Sequence, residues 1–261
     1  MSTAGPALPS NECHVWWIDA SAVPVHLGAC LDARERQRHR RLRRQADRQS
    51  YLAAHVLARL ALAHALDHDP AELALGVRCG ECESTDHGKP ILLHPGADVE
   101  FSLSHSRGLV GVAVARGASV GVDVEAAGPD GDVSALVAEV LSPVETTEVL
   151  ALPDADRPAA LIRYWCRKEA VLKATGFGLS LPPSGLTMTG PGEPPRLVDW
   201  AGGPHGPASV ALHDLEPGPG YVACVALVGW DGDRLVERDG GMLLRIAGTR
   251  RSAGRAWPAP R

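Results

Sequence analysis

The chain has 261 residues, 45% of them hydrophobic but 4% aromatic, and carries a formal net charge of −5. That length makes one large domain or two small ones, with a core that Leu, Val and Ala must build. Residues 1–9 are short, uncharged and proline-broken, unlike a signal peptide. No apolar run approaches the roughly 20 residues that span a bilayer, so a soluble, cytoplasmic protein with no membrane partner is expected, its six cysteines reduced.

In chain order, residues 13–20 read as a short buried strand. Asp32 opens a long helical region in which residues 34–48 carry eight arginines. These fall around the whole circumference, so no apolar stripe accounts for them. They make either a solvated helix or a cradle for phosphate, which guanidinium binds bidentately. A nucleic-acid surface would call for interleaved aromatics, which are missing. The basic segment in an otherwise acidic chain therefore points to a local small-molecule anion site, with no nucleic-acid partner. Residues 51–66 are amphipathic, with Leu52, Val56 and Leu60 at helical spacing. Packed on a sheet, this helix would place Arg48 at its N-terminal end, where the dipole also favours an anion.

Cys79-Gly-Glu-Cys82 with His87 is a C-x-x-C plus histidine. A structural zinc takes four ligands. Three are close in sequence, His94 is distant, and the second half of a zinc signature is missing, so a thiol-bearing surface loop is expected. Gly88-Lys89-Pro90 is a turn that presents a lysine at the start of a strand. Residues 99–104 alternate as a strand that ends in Ser104-His105-Ser106. Adjacent strand residues diverge, so Ser104 and His105 make a poor nucleophile–base pair. A plain turn or a pair of phosphate donors fits better.

Residues 109–115 and 119–125 are consecutive strands around Arg116-Gly117-Ala118, read as a hairpin and as the junction of two halves. Asp123 and Glu125 lie two apart, so both carboxylates leave one sheet face. A Pro/Gly/Asp loop over 128–132 precedes a helix from about Val133 to Leu141. Ser142-Pro-Val-Glu145 is a capping box opening another helix. A loop over 153–158 leads to W-C-R-K-E-A-V-L-K-A-T-G at 165–176, a helix running to a glycine stop. Glu169 and Lys173 share one helical face and Lys168 lies at its edge. Taken alone, such a Glu–Lys pair is a solvated contact worth about 0.2–0.5 kcal/mol, and a D-x-E is an ordinary exposed strand face. Brought together, three carboxylates ringed by lysines suit a magnesium ion bridging a phosphorylated substrate. Residues 209–214 and 221–228 form a further hairpin. After Trp230 the signal fades, and 250–261 reads as a disordered basic tail.

Each half thus reads as helix followed by strands. The fold class is α+β, with two similar lobes and a cleft between them: residues 1–117, residues 118–230, and a partly disordered extension over 231–261.

Four motifs, G-K-P at 88–90, F-S-L-S-H-S at 101–106, G-V-D-V-E at 121–125 and W-C-R-K-E-A-V-L-K-A-T-G-F-G-L at 165–179, resemble the Sfp-type 4′-phosphopantetheinyl transferases in order and spacing. The resemblance spans roughly residues 13–230. It implies a pseudo-twofold monomer of two lobes, each a small antiparallel sheet packed with helices. Coenzyme A and magnesium would occupy the cleft, and an acyl or peptidyl carrier protein would be the partner. It implies that Asp123, Glu125 and Glu169 hold the metal, with Glu169 also a base for the carrier serine. Lys173, Lys168 and His105 would meet the pyrophosphate, and Lys89, Ser104 and Arg48 the nucleotide and its 3′-phosphate. Arg41 and Arg44 compete with Arg48 for that phosphate, and His55 has no assigned role. The alternatives are a catalytically silent coenzyme A- or nucleotide-binding regulator and a basic-helix nucleic-acid binder. The intact Asp123/Glu125/Glu169 set argues against the first.

Overall fold

The computed structural model describes residues 8–94, 98–127, 134–201 and 209–252. The expected loop over 128–132 and the last residues of the expected tail, 253–261, lie outside the described residues. The elements are β1 (Glu12–Asp19), α1 (Ala33–Arg41), α2 (Gln45–Leu66), β2 (Leu75–Arg78), β3 (Lys89–Leu92), β4 (Val99–Ser106), β5 (Leu109–Arg116), β6 (Ser119–Ala126), α3 (Ser134–Val140), α4 (Pro143–Ala151), α5 (Arg157–Thr175), β7 (Leu186–Met188), β8 (Leu197–Trp200), β9 (Val210–Leu215), β10 (Tyr221–Val228), β11 (Arg234–Asp239) and α6 (Gly241–Ser252). None of the described helices is long and apolar enough to cross a membrane. The fold is α+β, and the chain divides into two compact units. One gathers Met1–Gly76, Pro90–Gly117 and Asp231–Arg261, the other Val77–Lys89 and Ala118–Trp230.

The first unit is built on a four-stranded sheet in the order β11-β1-β5-β4. β5 runs antiparallel to both β1 and β4, whereas β11 lies parallel to β1. The β4–β5 turn is a two-residue loop closed by the Ser106–Leu109 pair. Arg107 and Gly108 both have positive φ, 43° and 92°, the signs a type I′ hairpin requires. α2 lies on this sheet. Leu52, Val56 and Leu60 are buried as their spacing predicts, together with Trp16, Phe101, Val110 and Val112. With few aromatics to fill space, alanines 53, 54, 58, 61 and 63 let helix and sheet approach closely.

The expected long basic helix is two helices. The backbone is extended at Leu42 and Arg44, where α1 ends and α2 begins. No Gly or Pro marks the break. Arginines four apart on one helix face repel, and dividing the helix separates them. α1 is fixed from its other end by a capping box between Asp32 and Glu35. The fully buried Arg59 reaches from α2 to bind Glu35 at 2.8 Å and Asp32 at 3.1 Å.

Two further expectations give way. Residues 109–115 and 119–125 do not form a hairpin: β5 pairs with β1 and β4, and β6 pairs with β10 in another sheet. The connection is a junction only. The chain after Trp230 also carries a strand and a helix, and Leu243 and Ala247 of α6 enter the core of the first unit. Charged residues dominate β11, Arg-Leu-Val-Glu-Arg-Asp, as suits an edge strand. That composition hides its signal.

The second unit has a three-stranded antiparallel sheet, β6-β10-β9, with the expected β9–β10 hairpin. α5 packs on it, burying Cys166, Ala170 and Ala174 with Val222, Cys224 and Ala226 of β10. The helix ends at Gly176 in the left-handed region, φ 80°. Gly121 of β6 meets α5 backbone directly. A Cβ there would lie 2.1 Å from the Ala170 carbonyl oxygen and 2.3 Å from the Ala174 nitrogen. Because side chains alternate along β6, the face that carries this contact is also the face of Asp123 and Glu125.

Candidate active site

Three α5 residues four apart, Trp165, Glu169 and Lys173, form one stripe that meets β6. Trp165 Nε1 donates to Glu125 Oε1 at 3.2 Å. Lys173 Nζ donates to Asp123 Oδ1 at 2.6 Å and to the Val122 carbonyl at 3.2 Å. Glu169 lies between them, 8% exposed, and Asp123 is 3% exposed. Sequence reasoning brought Asp123, Glu125, Glu169 and Lys173 together, and so does the structure. It missed Trp165, whose signal was available in the same spacing of four.

The electrostatics follow from crowding. Burial holds the Glu169 carboxyl above the usual carboxylate range. Lys173 pulls it down, and the nearby Asp123 and Glu125 raise it further. Burial is the largest influence on the Lys173 ammonium and would lower it. The Asp123 carboxylate, their hydrogen bond and Glu169 together outweigh it, and the group sits above its ordinary value.

A divalent cation fits this set. Asp123, Glu125 and Glu169 are the hard oxygen donors such ions take. Glu169 Oε1 is buried and accepts no hydrogen bond among the described residues. A buried acceptor in that state costs about 1–3 kcal/mol, and a cation would give it a partner.

Lys168 does not join them. It is fully buried, its ammonium paired with Glu145 and donating to the Val140 carbonyl at 2.7 Å. Burial depresses its pKa, and Glu145 partly offsets that. Adjacent helix residues point about 100° apart, so Lys168 leaves the Glu169 face altogether. Where the sequence reading sets it against pyrophosphate, the structure places its ammonium on Glu145 and the Val140 carbonyl, tying α5 to α4. Glu145 caps α4, as the sequence predicts, and also accepts from Met188 N at 2.7 Å.

Lys89 lies at the far end of α5, donating to the Ala174 carbonyl at 3.1 Å. Cation and helix C-terminus are matched in charge there.

Arg48, Ser104 and His105 belong to the first unit. His105 lines a cavity of about 560 Å³ with Ala46, Asp47, Gln49 and Ser50 from the start of α2 and with Asp19. Arg48 is exposed in that same first turn. The cavity thus joins a helix N-terminus and an imidazole with two carboxylates. Ser104 is buried, and alternation along β4 turns it away from His105. Arg41 and Arg44 are exposed where α1 ends and α2 begins. His55 is committed within its own unit. Its Nδ1 lies 2.8 Å from Glu35 Oε1 and its ring stacks on Tyr51 at 4.0 Å.

With this geometry in place, residues 119–226 match the model of the 4′-phosphopantetheinyl transferase superfamily. The chain is similar to the 4′-phosphopantetheinyl transferase HetI of Nostoc sp., 31% identical over 232 residues, which cover 85% of this chain and 90% of that protein. A 4′-phosphopantetheinyl transferase of Bacillus subtilis is 27% identical over 199 residues, 76% of this chain and 83% of its own length. The 4′-phosphopantetheinyl transferase Sfp of Bacillus subtilis strain 168 is 23% identical over 198 residues, 75% and 82% of the two chains. The chain belongs to the 4′-phosphopantetheinyl transferase superfamily.

Proposed function

We propose that this protein moves the 4′-phosphopantetheine arm of coenzyme A to a serine hydroxyl of an apo carrier protein, acyl or peptidyl, releasing adenosine 3′,5′-bisphosphate. The observation that carries the reading is the Trp165–Glu169–Lys173 stripe of α5 set against Asp123 and Glu125 of β6. Asp123, Glu125 and Glu169 would hold a divalent cation, magnesium by the hardness of the donors. When bound, it would supply Lewis-acid polarisation of the pyrophosphate.

The residues do the rest. The serine oxygen forms a bond to the β-phosphorus, and the bond from that phosphorus to the bridging oxygen breaks. The leaving bisphosphate keeps the electron pair. The serine proton goes to the Glu169 carboxylate, which burial makes a better acceptor than an exposed one. Lys173, held charged by Asp123, neutralises the oxygen of the leaving group. Lys89, Ser104 and Arg48 are assigned to the nucleotide, Arg48 by its place at the start of α2, and His105, which lines a cavity beside that turn, to the pyrophosphate. Lys168, paired with Glu145, is left out of this assignment. The enzyme would act as a cytoplasmic monomer without nucleic-acid or membrane partners.

Intact mass spectrometry of an apo carrier protein tests this. Incubated with the protein, coenzyme A and magnesium, the carrier should gain one phosphopantetheine mass, and EDTA should prevent it. No gain across acyl and peptidyl carriers, with the protein folded, would refute the proposal.

A further inference from the structure

The loop between β2 and β3 carries a second donor set of different chemistry. Cys79 Sγ, Cys82 Sγ and a ring nitrogen of His87 lie within 4.8 Å of one another. Cys82 Sγ is 3.5 Å from His87 Nε2. Two ligands of a tetrahedral zinc, at about 2.3 Å for sulfur and 2.0–2.1 Å for nitrogen, sit about 3.6 Å apart. The pair is therefore already at ligand spacing. Both cysteines are free thiols.

The loop is held by short-range hydrogen bonds, Cys79 N to the Ser84 carbonyl and Glu83 N to the Cys79 carbonyl among them, and buries little side chain. Between Cys79 and Lys89, residues 80–83 and 85–88 are exposed, and Cys79 is the buried side chain. Glu83 and Gly88 both take positive φ, 55° and 115°, a conformation L side chains resist. Yet the loop docks closely on the end of α5. Gly80 N donates to the Gly176 carbonyl at 3.1 Å, and a Cβ on Gly80 would lie 2.9 Å from that oxygen. Ordering such a stretch costs roughly 1–2 kcal/mol per residue in backbone entropy, which a bound metal would offset.

We propose that Cys79, Cys82 and His87 bind a zinc ion that staples this loop onto the C-terminal end of α5. Two thiolates and an imidazole are a borderline-soft set that selects zinc over magnesium. They differ in this from the three carboxylates on β6 and α5. Cys82 and His87 are exposed, so the fourth tetrahedral position opens to water. The proposal needs no assumption about the transfer reaction.

The test is metal content of the full-length protein, expressed with zinc and desalted. About one zinc per chain is expected, retained in Asp123→Ala and lost in Cys82→Ser and His87→Ala. His87→Cys, which restores a ligand, should recover it. Cobalt added to the apo protein should give the intense sulfur-to-cobalt charge-transfer band and tetrahedral visible bands, absent in Cys82→Ser. Amide exchange across residues 79–89 should slow when zinc is added. Any one of three results would overturn the proposal: a folded protein that takes up neither metal, a Cys79–Cys82 disulfide in its place, or full zinc content in both ligand variants.

Discussion

Replacing Lys168 with Met separates the two readings of the helix motif. Lys168 and Glu145 are both fully buried. Removing the ammonium leaves the Glu145 carboxylate with two backbone donors, Ser142 N and Met188 N, each at 2.7 Å, and takes away its countercharge, Lys168. Breaking a buried pair from one side costs about 3–5 kcal/mol. At about 2–4 °C per kcal/mol for a domain of this size, melting should fall by roughly 6–20 °C. Adding Glu145→Gln, which keeps the carbonyl acceptor and removes the charge, should return most of that loss. Thermal denaturation followed by circular dichroism reads stability. Calorimetric titration with coenzyme A, at a temperature where all variants are folded, should give near wild-type affinity. A Lys168→Met protein of unchanged melting temperature and weakened coenzyme A binding would refute the structural role and restore Lys168 to the ligand.

Gly121→Ala places a methyl within 2.3 Å of α5 backbone, so overpacking should cost about 1–3 kcal/mol or more in urea unfolding; a neutral change would mean helix and strand are not in contact. Glu169→Gln should raise metal-free stability at neutral pH. The folded Glu169 pKa lies above its unfolded value, so the native state binds the extra proton between the two, and wild-type stability falls as pH rises through that window. The advantage should shrink below the ordinary carboxylate range, and a pH-independent difference would contradict the assignment. Asp123→Ala should abolish metal-dependent transfer while circular dichroism stays native; undiminished turnover would remove Asp123 from the metal set.

The site was legible where it depended on period. A spacing of two put Asp123 and Glu125 on one face, and a spacing of four joined Glu169 to Lys173. What period cannot supply is the partner of the next face. Lys168 sits one residue from Glu169, and its fate is decided by Glu145, which is 23 residues earlier and reaches it only through the packing of α4 on α5. The false hairpin has the same origin: alternation in residues 109–115 and 119–125 marks two strands but does not choose their neighbours. The charged β11 lacks even alternation and is held by pairing with β1. Cys79, Cys82 and His87 were seen as a motif, but their convergence needed the turn made by Glu83 and Gly88.

α5 also shows why its motif leaves few positions open. Cys166 Sγ donates to the Asp123 carbonyl at 3.3 Å. Arg167, fully buried, holds Asp214 at 2.7 Å and the Thr189, Gly190 and Glu193 carbonyls. Lys168 takes Glu145, and Ala170 and Ala174 accept the bare face of Gly121. Apolar replacements for a buried ion pair often fold as well, so stability alone does not explain these charges. Their geometry does: a turn of the helix about its axis would break the Arg167 and Lys168 pairs together. They therefore fix which residues face β6, and Glu169 is held over Asp123 and Glu125. The Lys168→Met/Glu145→Gln double variant tests this independently of folding. It should regain most of the lost stability yet transfer phosphopantetheine more slowly than wild type, because one of the two rotational restraints is gone. If turnover returned with stability, the apolar packing of α5 would be sufficient to aim the stripe.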